Sequence, residues 1–155
     1  MNRSSDRISV QRLIHAPASE IFDLLADPAR HAEIDGSGWV RESRGGSRRL
    51  ALGDRFGMNM DAGIGYSTLN QVVELEEDRV IAWRTLAGGA LSKVVTGRTW
   101  RYQLEPRDEG TLVTETWDIS TERPLSRPFV RLLAARTRRA MEATLERIED
   151  LVTAG

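Results

Sequence analysis

Apolar and polar residues follow two rhythms along this chain, and the order of those rhythms predicts its architecture. Residues 7–14 alternate, with Ile8, Val10 and Ile14 on one side and Arg7, Ser9 and Gln11 on the other, which predicts a half-buried strand. His15, Ala16 and Pro17 end it. Pro17 suits the first turn of a helix, and Glu20 complements that helix's N-terminal dipole. Ile21, Phe22, Leu24 and Leu25 then form one apolar face. Asp27 and Pro28 break this helix and start a second short one, to about Glu33.

From Trp39 the rhythm is mostly period two. Strands are predicted over Trp39–Ser43, Leu52–Asp61, Tyr66–Glu76, Val80–Leu86, Val94–Glu105 and Thr111–Ser120. Turns at 35–38, 44–47, 62–65, 77–78 and 106–110, with a Gly-containing loop at 86–90, separate them. Such short connections imply antiparallel neighbours. Gly97 is a candidate bulge. The closing segment changes period: Val130, Leu133, Thr137, Met141, Thr144, Ile148 and Val152 recur at helical steps, from a Ser126 N-cap to about Val152. That helix would be roughly 40 Å long, enough to cross a small sheet. A sheet that meets its main helix only at the end of the chain can curl around it and leave an internal space.

With 155 residues the chain fits one domain, 1–155, large enough to fold without disulfide or metal staples. A net charge of -1 provides no global field for DNA or anionic membranes, so neither is an expected partner. There is no cysteine, which excludes thiolate metal sites and cysteine nucleophiles. The N-terminal residues lack the apolar stretch of a signal peptide, and no window reaches membrane-spanning length, so a cytoplasmic location is expected. The two histidines, His15 and His31, lack the spacing of a ligand pair, and neither a metal nor a cofactor is implied.

Several segments carry a family resemblance. They are Ile14–Pro17, Ile21–Pro28, His31–Gly38, Leu52–Phe56 and Ile81–Arg84. Together with the order of elements, they resemble the START-like, or SRPBCC, superfamily, in its polyketide cyclase/dehydrase-like branch. The resemblance covers nearly the whole chain. It implies an α+β helix-grip fold: a curved seven-stranded antiparallel sheet, two short helices after the first strand, and a long C-terminal helix across the concave face. It also implies a cavity between helix and sheet for an apolar guest.

If the alternation holds, an aromatic and thioether set faces that space: Phe56, Met58, Met60, Tyr66, Trp83, Trp100, Tyr102, Trp117 and Phe129, with Leu133 from the helix. Taken singly, each of these is expected as ordinary core; taken together they suggest a lined pocket. Tyr66 and Asn70 share a strand face and, with Arg84, form either a polar anchor or an exposed group. Glu115 lies between Val113 and Trp117. Facing inward, it would be a carboxyl in an apolar cavity with a raised pKa, able to act as general acid or base; the favoured register instead turns Leu112, Thr114 and Thr116 inward and leaves Glu115 solvated. His31, beside Glu33 and Asp35, is a candidate proton carrier, with a surface position as its default. Two arginine clusters, Arg41, Arg44, Arg48 and Arg49, and Arg127, Arg131, Arg136, Arg138 and Arg139, suit an anion, with a solvated face as the default.

Three functions fit these residues. The first is binding of a small apolar molecule, lipid-like or an aromatic polyketide, in the cavity. The second is a cyclase, aromatase or dehydratase using the same cavity, with Glu115 or His31 moving protons. The third is an interaction module for an anionic partner. No decisive catalytic set is present, so binding ranks first. An exposed edge strand would also allow two copies to pair as a homodimer.

Overall fold

The computed structural model describes residues 6–38, 40–43, 45–61, 63, 65–86, 97–120, 128 and 131–154, without the side chains of Glu42 and Tyr66. Seven strands form one antiparallel sheet: β1 Arg7–Ile14, β2 Val40–Ser43, β3 Arg55–Asp61, β4 Gly65–Glu76, β5 Val80–Thr85, β6 Thr99–Arg107 and β7 Gly110–Asp118. Their order is β1-β7-β6-β5-β4-β3-β2. The first two strands in sequence are therefore the two edges. Between them run α1 Ala18–Leu25, a 3-10 turn at Pro28–Arg30, and α2 His31–Ile34. The final helix, α3, is Ala134–Thr153.

The boundaries differ from the sequence reading where a turn borrows strand-like residues. Leu52 and Gly53 form a turn before β3, and Gly97, at a φ of +100, precedes β6 rather than bulging it. β6 continues through Pro106 to Arg107, and Gly110 already belongs to β7. The continuous helix α3 begins at Ala134, after a turn at Leu132 and Leu133; Trp39, Ser126, Val130 and the loop at 87–90 lie outside the described residues.

One face of the sheet is apolar and the other is a lattice of polar pairs. On the outer face Ser9 meets Thr116 at 2.8 Å, Gln11 meets Thr114 at 3.0 Å, and Arg101 meets Glu74 at 2.8 Å. On the inner face Ile8, Val10, Ile14, Leu104, Val113 and Trp117 pack with Met141, Leu145 and Ile148 of α3. Phe22, Leu24 and Leu25 of α1 close one end of this core.

The helix is held at its middle by the chain that leaves α2. Gly36 N–H donates to Thr144 Oγ1 at 2.9 Å, and that hydroxyl donates to Ala140 O at 3.0 Å. A Cβ on Gly36 would stand 2.3 Å from Ala140 O, 2.6 Å from Thr144 N and 2.7 Å from Ala143 Cβ. Only glycine permits this approach, because two of those atoms are helix backbone and cannot swing aside. Gly36→Ala should therefore lower stability by about 1–3 kcal/mol. Gly45→Ala, where nothing lies within 4 Å, should change it little. Denaturant titration of the two variants measures the difference.

Candidate functional site

Between α3 and the inner face of the sheet lies a cavity of about 600 Å³. That is within the usual range for a small-molecule site. The sheet contributes Phe56, Met58 and Met60 from β3, Trp83 from β5, and Trp100 and Tyr102 from β6. These residues reach it because side chains two apart on a strand share a face. α3 contributes Thr137, Ala140, Met141 and Thr144, and α2 with its following loop contributes His31, Ile34, Asp35 and Gly36.

A chain of rings forms the inner wall. His31 stacks on Trp83 with centroids 4.8 Å apart, and Trp83 packs against Phe56 at 5.7 Å and Tyr102 at 5.6 Å. His31 Nε2 lies 2.9 Å from Leu25 O. A carbonyl only accepts, so Nε2 carries the hydrogen and Nδ1 of the neutral ring holds a lone pair. Burial lowers the His31 pKa, which keeps that ring neutral.

The wall ends in a carboxyl–phenol pair. Glu115 on β7 is directly opposite Tyr102 on β6 and opposite Val10 on β1. The Tyr102 hydroxyl donates to Glu115 Oε1. Glu115 is 1% exposed, and its Oε2 has no hydrogen-bond partner among the described residues. Burial raises its pKa to about 8; the Tyr102 hydrogen bond opposes the shift and the nearby Asp35 charge adds to it. At neutral pH the carboxyl is therefore mostly protonated. Because Oε1 is already an acceptor, the acid proton belongs on Oε2. Burial and the adjoining carboxyl likewise push the Tyr102 phenol well above its usual range, so it remains a donor.

A second polar set sits on β4 and β5. The Thr85 hydroxyl donates to Asn70 Oδ1 at 2.9 Å, and Asn70 Nδ2 donates to Thr68 Oγ1 at 3.3 Å. All three line the cavity. Arg98, half-buried just before β6, and Arg136 and Arg139, exposed in the first turns of α3, also line it.

Most of the expected lining residues meet here: Phe56, Met58, Met60, Asn70, Trp83, Trp100, Tyr102 and Leu133. Trp117 does not. It is fully buried against Trp100, at 6.3 Å between centroids, as part of the solid core. Phe129 and the side chain of Tyr66 lie outside the described residues. Arg84 turns instead to Thr99, at 3.4 Å. Two defaults are overturned. Glu115 is inside rather than solvated, because the polar pairs of β1 with β7 take Thr114 and Thr116 to the outer face. His31 is 6% exposed rather than on the surface, because α2 turns its ring onto Trp83. Four arginines of the basic clusters are paired within the chain: Arg49 with Asp23 and Glu77, Arg48 with Asp54, Arg41 with Asp61, and Arg131 with Asp6. Arg44 and Arg127 lie outside the described residues. Sequence reasoning missed Thr68, Thr85, Arg98 and Thr144; only their strand or helix parity with Asn70, Trp100 and Met141 could have signalled them.

Glu115 and His31 give stability opposite dependences on pH. The unfolded Glu115 releases its proton near pH 4.5 while the folded protein holds it until about 8, so its contribution is complete below 4.5 and is lost as pH rises towards 8. The lowered His31 contributes stability that is complete above its ordinary 6.5 and is lost on acidification. From pH 6.5 to 8 Glu115 is therefore the member of the pair whose contribution falls. Unfolding free energy should decline across that window, and Glu115→Gln should flatten the decline, with a difference of about 1–2 kcal/mol. Chemical denaturation at a series of pH values measures it.

Residues 5–153 match the family described as polyketide cyclase / dehydrase and lipid transport. An uncharacterised protein of Mycobacterium tuberculosis is 30% identical over 155 residues, covering 96% of this chain. The chain spans 65% of the length of that relative. A solved structure from Nitrosomonas europaea superposes with a TM-score of 0.74 at 16% identity, covering 97% of this chain and 96% of that one. The AHSA1-like protein from Aeromonas hydrophila gives 0.66 at 20% identity, covering 96% and 92%. At those identities the likeness is one of fold, the START-like helix grip. The match across almost every residue, joined to a lined cavity between sheet and closing helix, makes this chain a member of the polyketide cyclase/dehydrase and lipid transport family.

Proposed function

We propose that this chain binds a small, mostly apolar molecule, lipid-like or an aromatic polyketide, between the sheet and α3. The observation that carries the reading is the cavity of about 600 Å³ walled by Phe56, Met58, Trp83 and Trp100. A well-packed domain leaves few voids larger than a water molecule. Burying aromatic faces against a guest recovers the dispersion that such a void forfeits. Thr85, Asn70 and Tyr102 supply the few oriented polar groups that a mainly apolar site uses for specificity.

A second reading, catalysis of the cyclase, aromatase or dehydratase kind, is favoured by one observation. Glu115 is a fully buried carboxyl in the cavity wall, its pKa raised by burial to about 8, and Oε2 has no partner among the described residues. A general acid works best with its pKa near the operating pH. Under this reading Glu115 protonates a carbonyl or departing hydroxyl of a bound ketide, and the walls hold the reacting carbons in place.

The two readings separate in one series of measurements. Native mass spectrometry of the purified protein should find a bound guest or accept an added aromatic one. Trp83→Ala should then weaken that affinity by about ten-fold. Failure to recover or load any hydrophobic molecule would remove the binding reading. For catalysis, Glu115→Gln should abolish turnover while leaving affinity within a few-fold; unchanged turnover would leave binding alone.

A further inference from the structure

The cavity wall holds a hydrogen-bond acceptor that no described residue uses. We propose that the bound molecule carries a neutral hydrogen-bond donor, the O–H of a phenol or other hydroxylated ring system, and that Nδ1 of His31 receives it. This rests on the binding reading above. It names the class of molecule the site selects and makes His31 the residue that determines the choice.

The His31 ring is fixed by three contacts. Nε2 donates to Leu25 O at 2.9 Å, one face stacks on Trp83 at 4.8 Å, and Phe56 meets the ring edge-on at 5.4 Å. Turning the ring over would put a carbon in place of Nε2 and lose the Leu25 bond, so that bond also sets where Nδ1 stands. Among the described residues, none bonds to Nδ1. Nor is this nitrogen fully enclosed by protein, as Glu115 Oε2 and Trp117 Nε1 are. The space that His31 borders is the cavity. A guest therefore reaches the Nδ1 lone pair without moving a side chain, and Glu115 Oε2 only after one moves.

The surroundings decide which kind of group is taken. The Leu25 carbonyl keeps the hydrogen on Nε2, so Nδ1 can only accept. The carboxylates of Asp27 and Asp35 are close enough to act on the ring. Asp35 also lines the cavity, with its oxygens accepting from Ser37 N, Ser37 Oγ and Val40 N. Negative charge beside the lone pair attracts the positive end of an O–H bond and repels a carbonyl or ether oxygen. A hydroxyl meets this demand with less desolvation than an ammonium, whose hydration a wall of Phe56, Met58, Trp83 and Trp100 does not replace.

A wholly apolar guest is the poorer fit. It covers Nδ1, removes the water that would otherwise solvate it, and returns no donor, and an acceptor left unpaired in this way weakens binding. A hydroxyl supplies the missing bond itself, while the rest of its ring system keeps the aromatic contacts.

Two pairs of probes test this by calorimetry at neutral pH: 2-naphthol against 2-fluoronaphthalene, and 4-phenylphenol against 4-fluorobiphenyl. Fluorine is close to hydroxyl in size and donates nothing. The phenol of each pair should bind at least about ten-fold more tightly than its fluoro analogue. That ratio should fall towards one in His31→Phe, which keeps a flat ring beside Trp83 and removes the lone pair. The fluoro compound is the reference in each variant, so a general loss of folding lowers both affinities and leaves the ratio in place. Nitrogen-15 NMR of the unaltered protein gives a second readout that does not depend on the variant folding. The His31 Nδ1 resonance should move much further with 2-naphthol than with 2-fluoronaphthalene; His15 is the only other histidine, so His15→Asn assigns the signal. Equal affinities within the pairs, a phenol preference that persists in His31→Phe, or an Nδ1 resonance that responds alike to both probes would overturn the inference and leave the binding reading intact. Failure of all four probes to bind would remove the binding reading and this inference together.

Discussion

The contact between Gly36 and the backbone of α3 determines where the helix can stand. A helix crossing a sheet normally settles until side chains fill the space between them. Here its middle is held against the α2 loop by backbone, through Gly36, Ala140 and Thr144. Its C-terminal half settles normally: Leu145 and Ile148 are buried, and Glu149 meets Arg12 of β1 at 2.9 Å. Its N-terminal turns carry arginines instead of large apolar residues. The space beneath them is therefore left open, because no side chain of the helix is placed to fill it. A molecule that enters meets aromatic wall on the sheet side and helix on the other.

That arrangement also divides polarity by depth. Among the described residues the inner wall carries His31, Tyr102 and Glu115, and burial drives each towards its neutral form, lowering the first pKa and raising the other two. An apolar guest thus displaces no strongly hydrated ion from the inner wall. Arg136 and Arg139, which also line the cavity, are exposed at the start of α3, so the charged lining and the neutral wall come from different elements.

The sequence was most informative where burial on one face imposes a strict period. The strands at 7–14, 55–61 and 65–76 read clearly because apolar and polar residues alternate, and the inward set of Phe56, Met58 and Met60 follows from that alternation. It was least informative on β7. There Leu112, Thr114 and Thr116 compete with Val113, Glu115 and Trp117 for the inner face, and threonine suits either side of a sheet. What decides the register is the partner strand: Ser9 and Gln11 of β1 offer hydrogen bonds to Thr116 and Thr114, more than a hundred residues away. Trp117 shows the complementary limit. It was expected on the inner face with the aromatic set, a placement at odds with the register favoured for Glu115, and whether an inward tryptophan meets void or core depends on how α3 lies above it. His31 belongs to the same class, since a four-residue helix has too few turns to reveal a buried side.

The placement of His31 and Glu115 also bears on how chemistry in this cavity could work. An acid and a base in direct contact share a proton and titrate as one unit. Here an aromatic spacer holds them apart: Trp83 stacks on His31 at 4.8 Å and meets Tyr102 at 5.6 Å, and Tyr102 in turn binds Glu115. The lone pair on His31 Nδ1 and the proton on Glu115 Oε2 therefore persist together in a neutral interior. A substrate able to use both must reach across the indole, giving up a proton at one point and receiving one at another. Were both to serve one reaction, as the catalytic reading would require, the substrate would have to span the Trp83 ring that separates them.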